Sequence, residues 1–180
     1  MPLRNLSSKG IRVTQTKIEF LPYDPMYQQY FLKECSILER LLRSNCINIY
    51  HVGATAIQNI SSQPTLDLQC VVHTLDGIDH FQDEFRQVGL KFCEIAPTEN
   101  KIVFERISKD QSLIMSRIHI YDKSDSRIGD YLALKDYFNQ DAHAAKLYES
   151  KKIEFAQEPL TYEKFKKEYL KLIVQSLQHS

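Results

Sequence analysis

Gln63-Pro64-Thr65-Leu66-Asp67-Leu68-Gln69-Cys70-Val71-Val72 alternates residue by residue once past its proline. Successive side chains of a β-strand point to opposite faces. Leu66, Leu68, Cys70 and Val72 therefore line one face, and Thr65, Asp67, Gln69 and Val71 the other. A carboxylate inside an apolar strand is costly unless its face is wet, holds a cation or lets it bond a neighbouring loop. Two acids spaced Asp-x-Asp would share that face and offer oxygen donors to one Mg2+. Here the second position is Gln69, whose amide oxygen can ligate but brings no charge.

Immediately upstream stands His51-Val52-Gly53-Ala54-Thr55, with β-branched and aromatic residues over 47–52 leading into it. A strand, a glycine, a hydroxyl residue and then a short helical turn can aim backbone N–H groups at a phosphate. The same residues also describe an ordinary strand-ending turn. Downstream, Arg117-Ile118-His119 puts a guanidinium and an imidazole on the same side of a second strand. Near Asp67, that pair would suit an anionic substrate or a metal. His73, His80, His143 and His179 lie at no ligand spacing, and the sequence contains no GxSxG, HExxH, P-loop or GxGxxG motif.

Outward from this centre the pattern is α+β. Ile18-Glu19-Phe20-Leu21 reads as a short strand ended by Pro22, and Asp24-Pro25 as a helix start. Tyr27, Phe31, Cys35, Leu38, Leu41 and Leu42 form a stripe of helical period running to about residue 44. A second helix from Asp76 to Gly89 turns Ile78, Phe81, Phe85 and Val88 inward. Strands are expected near 90–95, 101–107 and 113–121, and helices near 128–139, 141–157 and 161–178. In the last helix the expected core stripe is Phe165, Tyr169, Leu172 and Ile173, and its interleaved Lys and Glu read as a solvated face. A mixed or antiparallel sheet with helices packed on it, in one domain over 18–180, is the expected architecture.

Composition narrows the function classes. The 180 residues carry 23 Lys+Arg and 23 Asp+Glu, with 43% apolar residues and a mean hydropathy of −0.38. Four of the basic residues, Arg4, Lys9, Arg12 and Lys17, fall in residues 1–17, which contain no acid and read as a flexible basic arm. That leaves 19 basic against 23 acidic residues in the body, about −4. Such a body is a poor partner for nucleic acid or an anionic membrane. Cys35, Cys46, Cys70 and Cys93 show no paired spacing, and the first residues lack an apolar signal region. Reduced thiols and a cytoplasmic location are expected.

These segments together resemble the GrpB family, a group placed with the nucleotidyltransferase fold. The family pattern can be written Y-D-P-x-W, H-I-G-S-T-S-V-P-G-L, A-K-P-x-I-D, H-L-H-V and F-R-D-Y-L. Matching it are Tyr23-Asp24-Pro25, His51-Val52-Gly53-Ala54-Thr55-Ala56, Gln63-Pro64-Thr65-Leu66-Asp67, Arg117-Ile118-His119-Ile120 and Leu134-Lys135-Asp136-Tyr137-Phe138, spread over roughly residues 18 to 175. The resemblance implies a nucleotidyltransferase-like sheet in which Gly53 and Thr55 form a phosphate turn and Asp67 binds metal. It also implies Mg2+ or Mn2+ and a nucleoside triphosphate as cofactors. Ala54, Ala56, Gln63 and Gln69 replace residues that in the family pattern or its superfamily would supply hydroxyls, a lysine and a second acid.

Three functions are consistent with this reading. The first is metal-dependent nucleotidyl or phosphoryl transfer to a small acceptor, with Asp67 and His119 catalytic and Gly53, Thr55 and Arg117 on phosphate. In it the metal is held by Asp67, Gln69 and His51, and Glu105 is the best candidate for a further acid. The second is a binding or regulatory module that keeps the fold without catalysis. The third is a mononuclear metal site at which His51, Asp67 and His119 converge. All three take a small-molecule or nucleotide ligand, with no membrane or nucleic-acid partner, and leave the oligomeric state open.

Overall fold

The computed structural model describes residues 18–93 and 100–179. The basic arm and the end of the 90–95 strand lie outside these residues. Helix α1 spans Tyr27–Leu42, and β1, Cys46–Val52, follows it. A 3-10 turn at Ala54–Ala56 and a loop lead to β2, Leu66–Val72. Then come α2 (Gln82–Gln87), β3 (Lys91–Cys93), β4 (Lys101–Ile107) and β5 (Ile114–Asp122). Three helices complete the chain: α3 (Arg127–Gln140), α4 (Ala142–Phe155) and α5 (Tyr162–Gln178).

The five strands form one mixed sheet in the order β1-β2-β5-β4-β3. All neighbours are antiparallel except β2 and β5, which run parallel with Asp67 beside Arg117 and Gln69 beside His119. A parallel pair needs a crossover, and the connection here contains α2, β3 and β4. One face is the main core. Leu66, Leu68, Cys70, Val72, Ile118, Ile120, Ile102 and Phe104 pack there against Leu38 and Leu42 of α1 and Phe85 of α2. The alternation expected for 65–72 is thus realised. The opposite face carries Asp67, Gln69, Arg117, His119 and Glu105. A second core joins the loop residues Ile57 and Ile60 to Leu134, Phe138, Ala144, Ala145 and Tyr148 of α3 and α4.

Three expectations are corrected. Residues 18–21 form no strand; only Leu21 pairs, with Ser62, through bonds of 2.8 and 2.9 Å. Pro22 has no N–H to continue the ladder. The helix after Asp76 starts as a 3-10 turn over Ile78–Phe81, and Phe81 is turned outward. In α5, Tyr169 and Ile173 pack on the second core as expected, but Phe165 and Leu172 are exposed and Leu170 and Val174 complete the contact. The Asp141 side chain caps α4 by accepting from the Ala144 N–H at 2.9 Å. Among the described residues, no helix is long and apolar enough to cross a membrane.

An ion pair between the buried Glu34 and the partly buried Arg106 ties α1 to the sheet. Arg106 donates from Nε to Glu34 Oε1 at 2.6 Å and from Nη2 to Oε2 at 2.9 Å, and Ser116 Oγ donates to Oε1 at 3.0 Å. The third arm of the guanidinium reaches the Val88 carbonyl at 2.6 Å. Each charge is thereby bonded on several sides, which is the condition under which burial of an ion pair is tolerated.

Candidate functional site: the Asp67 face of the sheet

Asp67 lies on the second strand of the sheet, with Val52 opposite on β1 and Arg117 beside it on β5. Its carboxylate rests directly on Gly53, where a Cβ would stand 2.6 Å from Oδ2. Gly53 also has φ +74°, a conformation that L side chains rarely adopt. The glycine is required twice over, by the turn and by the approach of the acid. Beyond it the 3-10 turn is closed by Ala56 N to Gly53 O at 3.1 Å and Ile57 N to Ala54 O at 3.2 Å.

Two of the expected ligands point elsewhere. His51 is the register partner of Leu68, not Asp67, so it projects from the core face. There its ring stacks on Phe31 with centroids 5.5 Å apart. Burial, with the Lys135 charge adding and the Asp67 charge opposing, pushes its imidazole down to about 4. His51 is therefore neither a partner of Asp67 in a metal centre nor the third member of a His51–Asp67–His119 set. Thr55 is buried, with Oγ1 2.9 Å from His51 Nε2 and directed at the Thr65 carbonyl. Its hydroxyl is used inside the turn and is not presented to a phosphate.

Gln69 shares the Asp67 face but is completely buried, and neither Oε1 nor Nε2 has a hydrogen-bond partner. It cannot stand beside Asp67 as a ligand of a cation reached from solvent. Arg117 lies between Asp67 and Glu105 in one row across three strands, and its Nε donates to Glu105 Oε1 at 2.8 Å. Burial works against the guanidinium charge. The Glu105 bond and the charges of Asp67, Glu105 and Glu163 outweigh it and hold the group above its ordinary value. Glu105 is thus an ion-pair partner, not a free metal acid. His119 stands next to Asp67, with Nε2 3.8 Å from Oδ1, and its Nδ1 is buried without a partner.

Helical residues complete the surroundings, and sequence reading did not find them. Burial first, then neighbouring charges that include Asp67, raises the hydroxyls of Tyr148 on α4 and Tyr162 on α5 above the usual tyrosine range. Glu163 acts on Arg117 from the start of α5. No local pattern marks these residues, because the sheet face they approach is built about thirty to a hundred positions earlier in the chain. Among the described residues, no three His, Cys, Asp or Glu side chains converge as a metal cluster. What the face offers is one half-exposed carboxylate, one imidazole beside it and one guanidinium held among acids.

Comparison with known proteins agrees with this architecture. The family model described as GrpB protein matches residues 17–176. The glutamate-rich protein GrpB of Alkalihalophilus pseudofirmus is 24% identical over 147 residues, covering 81% of this chain and 84% of that protein. UPF0157 protein YqkA of Bacillus subtilis is 24% identical over 133 residues, which is 73% of this chain but only 38% of the longer relative. Among solved structures, the conserved protein GrpB from Enterococcus faecalis superposes with a TM-score of 0.72 at 22% identity, covering 86% of this chain and 99% of that one. A Cid1 poly(U) polymerase structure aligns with a TM-score of 0.47 at 13% identity, over 68% of this chain and 38% of the polymerase. With the family model running along almost its whole length, and with the fold of a solved GrpB protein, the chain belongs to the GrpB family.

Proposed function

We propose that the chain binds a small phosphorylated molecule, with a nucleoside triphosphate as the type case, through one divalent cation, and does not perform two-metal nucleotidyl transfer. The carrying observation is the row Asp67–Arg117–Glu105. Two-metal transfer needs carboxylates around a pair of cations about 3.5–4 Å apart. Here the strand position beside Asp67 is a guanidinium, and the next acid along is bonded to it. Of the two hypotheses raised by the nucleotidyltransferase resemblance, this arrangement favours the binding module.

The donor set fits a single cation. Asp67 supplies an oxygen, steadied against the Gly53 backbone, and His119 a nitrogen 3.8 Å away. Mixed oxygen and nitrogen donors favour Mn2+ over Mg2+. Bound there, the ion would offset the phosphate charge that Asp67, Glu105 and Glu163 otherwise repel. Arg117 supplies donors for phosphate oxygens that the ion leaves free.

Melting of wild type and Asp67→Asn with Mn2+, nucleotide, or both tests this reading. A nucleotide about a hundred-fold above its Kd should raise the wild-type Tm by about 5–10 °C only when Mn2+ is present. The variant should show no rise, and neither protein should release pyrophosphate. Asp67-dependent turnover would restore the transferase reading. No shift with any of the four nucleotides would remove the ligand assignment.

A further inference from the structure

We propose that Lys91 is a second anion anchor, taking the far end of a phosphate chain whose near end is held by the cation on Asp67. The site then prefers three linked phosphates to shorter chains. Strand pairing supplies the geometry. Lys91 on β3 is the register partner of Glu105, Glu105 of Arg117, and Arg117 of Asp67. Residues directly opposite one another share a sheet face, so these four charges form one row across β3, β4, β5 and β2, alternating in sign. The inner two satisfy each other, with Arg117 Nε donating to Glu105 Oε1 at 2.8 Å. The outer two do not. Asp67 has His119 Nε2 at 3.8 Å as its ion-pair neighbour, and Lys91 is exposed, with no bonded partner among the described residues. Other cations nearby are engaged. Lys166 of α5 is paired with Glu163 at 2.9 Å and lies over the Tyr162 ring, and Lys101, opposite Tyr121, acts on Asp125.

Distance selects the ligand. Neighbouring strands lie about 4.8 Å apart, so three spacings separate the Cα atoms of Lys91 and Asp67 by about 14 Å. The lysine stem, five bonds at about 1.2 Å of rise each, covers at most about 6 Å of that. A single phosphate on the cation falls short of the remainder, about 8 Å. A chain of three bridges it and passes Arg117 on the way. An ammonium is a compact charge with three rotatable donors, which suits the terminal phosphate of a flexible chain. Because β3 is an edge strand, a lysine there also hinders edge-to-edge pairing. That role is indifferent to the length of a bound phosphate chain, and the two are therefore separable by experiment.

This inference rests on the single-cation reading above, because the ion on Asp67 fixes the near end of the chain. Calorimetric titration with phosphate, pyrophosphate and tripolyphosphate, each as its Mn2+ complex with free Mn2+ in excess, tests it without a nucleoside. Wild type should bind tripolyphosphate about ten-fold more tightly than pyrophosphate. Lys91→Gln should lose that ten-fold and leave pyrophosphate binding unchanged, whereas Lys91→Arg should keep most of it. Lys33→Gln removes the same charge from the exposed surface of α1, which packs on the other face of the sheet, and should leave the ratio alone. A ratio unchanged in Lys91→Gln, or lowered equally in Lys33→Gln, overturns the inference while the cation reading stands. No binding of any of the three by wild type overturns it as well, and melting with Mn2+ and nucleotide then decides the cation reading by itself.

Discussion

Gly53 joins the local turn to the acid it supports. A methyl group there would meet Asp67 Oδ2 at 2.6 Å while the backbone stays at φ +74°. Gly53→Ala should therefore cost about 2–3 kcal/mol in urea unfolding and weaken Mn2+ binding along with it; a neutral result would mean the turn can relax away from Asp67. His51 gives a pH test. Its imidazole is held down at about 4 by burial, then by Lys135, against an ordinary value of 6.5. The unfolded chain therefore takes up this proton first, so the stability is fully present above 6.5 and is lost as pH falls toward 4. Glu149 titrates lower. Burial opposes its charge, but bonds from Lys146 and Ser61 hold it at about 2, so its contribution is lost only below about 4.5. Urea unfolding at pH 7 and 4.5 should differ by about 2–3 kcal/mol in wild type, and most of that difference should vanish in His51→Gln. Asp67, Gly53 and His119 could be singled out in the sequence because each breaks a local pattern, and the structure places Gly53 and His119 against Asp67. The face of His51 could not be read, because strand register is set by a partner strand and not by the residue's own neighbours; Thr55 lies in the turn after Gly53, where its hydroxyl meets His51 and the Thr65 carbonyl.

Among the elements, α1 shows what its stripe announced and what it concealed. Tyr27, Leu38 and Leu42 are buried as the helical period requires. Glu34, on the same stripe, is buried too and bonded to Arg106 and Ser116. A charged residue inside an apolar stripe was the available signal, but its partners lie 72 and 82 positions away. Glu34→Ala strands a guanidinium and should cost about 3–5 kcal/mol, with much of the loss recovered in Glu34→Ala/Arg106→Met. A loss below about 1 kcal/mol in the single variant would show that Arg106 escapes to solvent. The loop after Gly53 is pinned from the other side. Asn139 of α3 donates to the Ala56 carbonyl and accepts from the Gln58 N–H, each at 3.0 Å. Lys152 of α4 donates to the Ser61 carbonyl at 2.6 Å. Helices α3 and α4 therefore hold the turn that carries the site, a role their own sequence pattern does not disclose.

At the scale of the molecule, the decisive event is the parallel pairing of β2 with β5, which sets Arg117 and His119 beside Asp67 and places Glu105 one strand further out. The α+β class and the approximate elements could be read from periodicity, because each depends on neighbours in sequence. The strand order could not, since it follows from which apolar faces bury together across more than forty residues. That order fixes the charge of the site as a guanidinium among three carboxylates, and with it the expectation of one cation in place of two. Diffraction at the manganese edge from crystals grown with Mn2+ and a nucleoside triphosphate counts the ions directly. A single anomalous peak within ligand distance of Asp67 and His119, absent in Asp67→Asn, is the expected result. Two peaks bridging Asp67 and Glu105, with Arg117 displaced from between them, would contradict it.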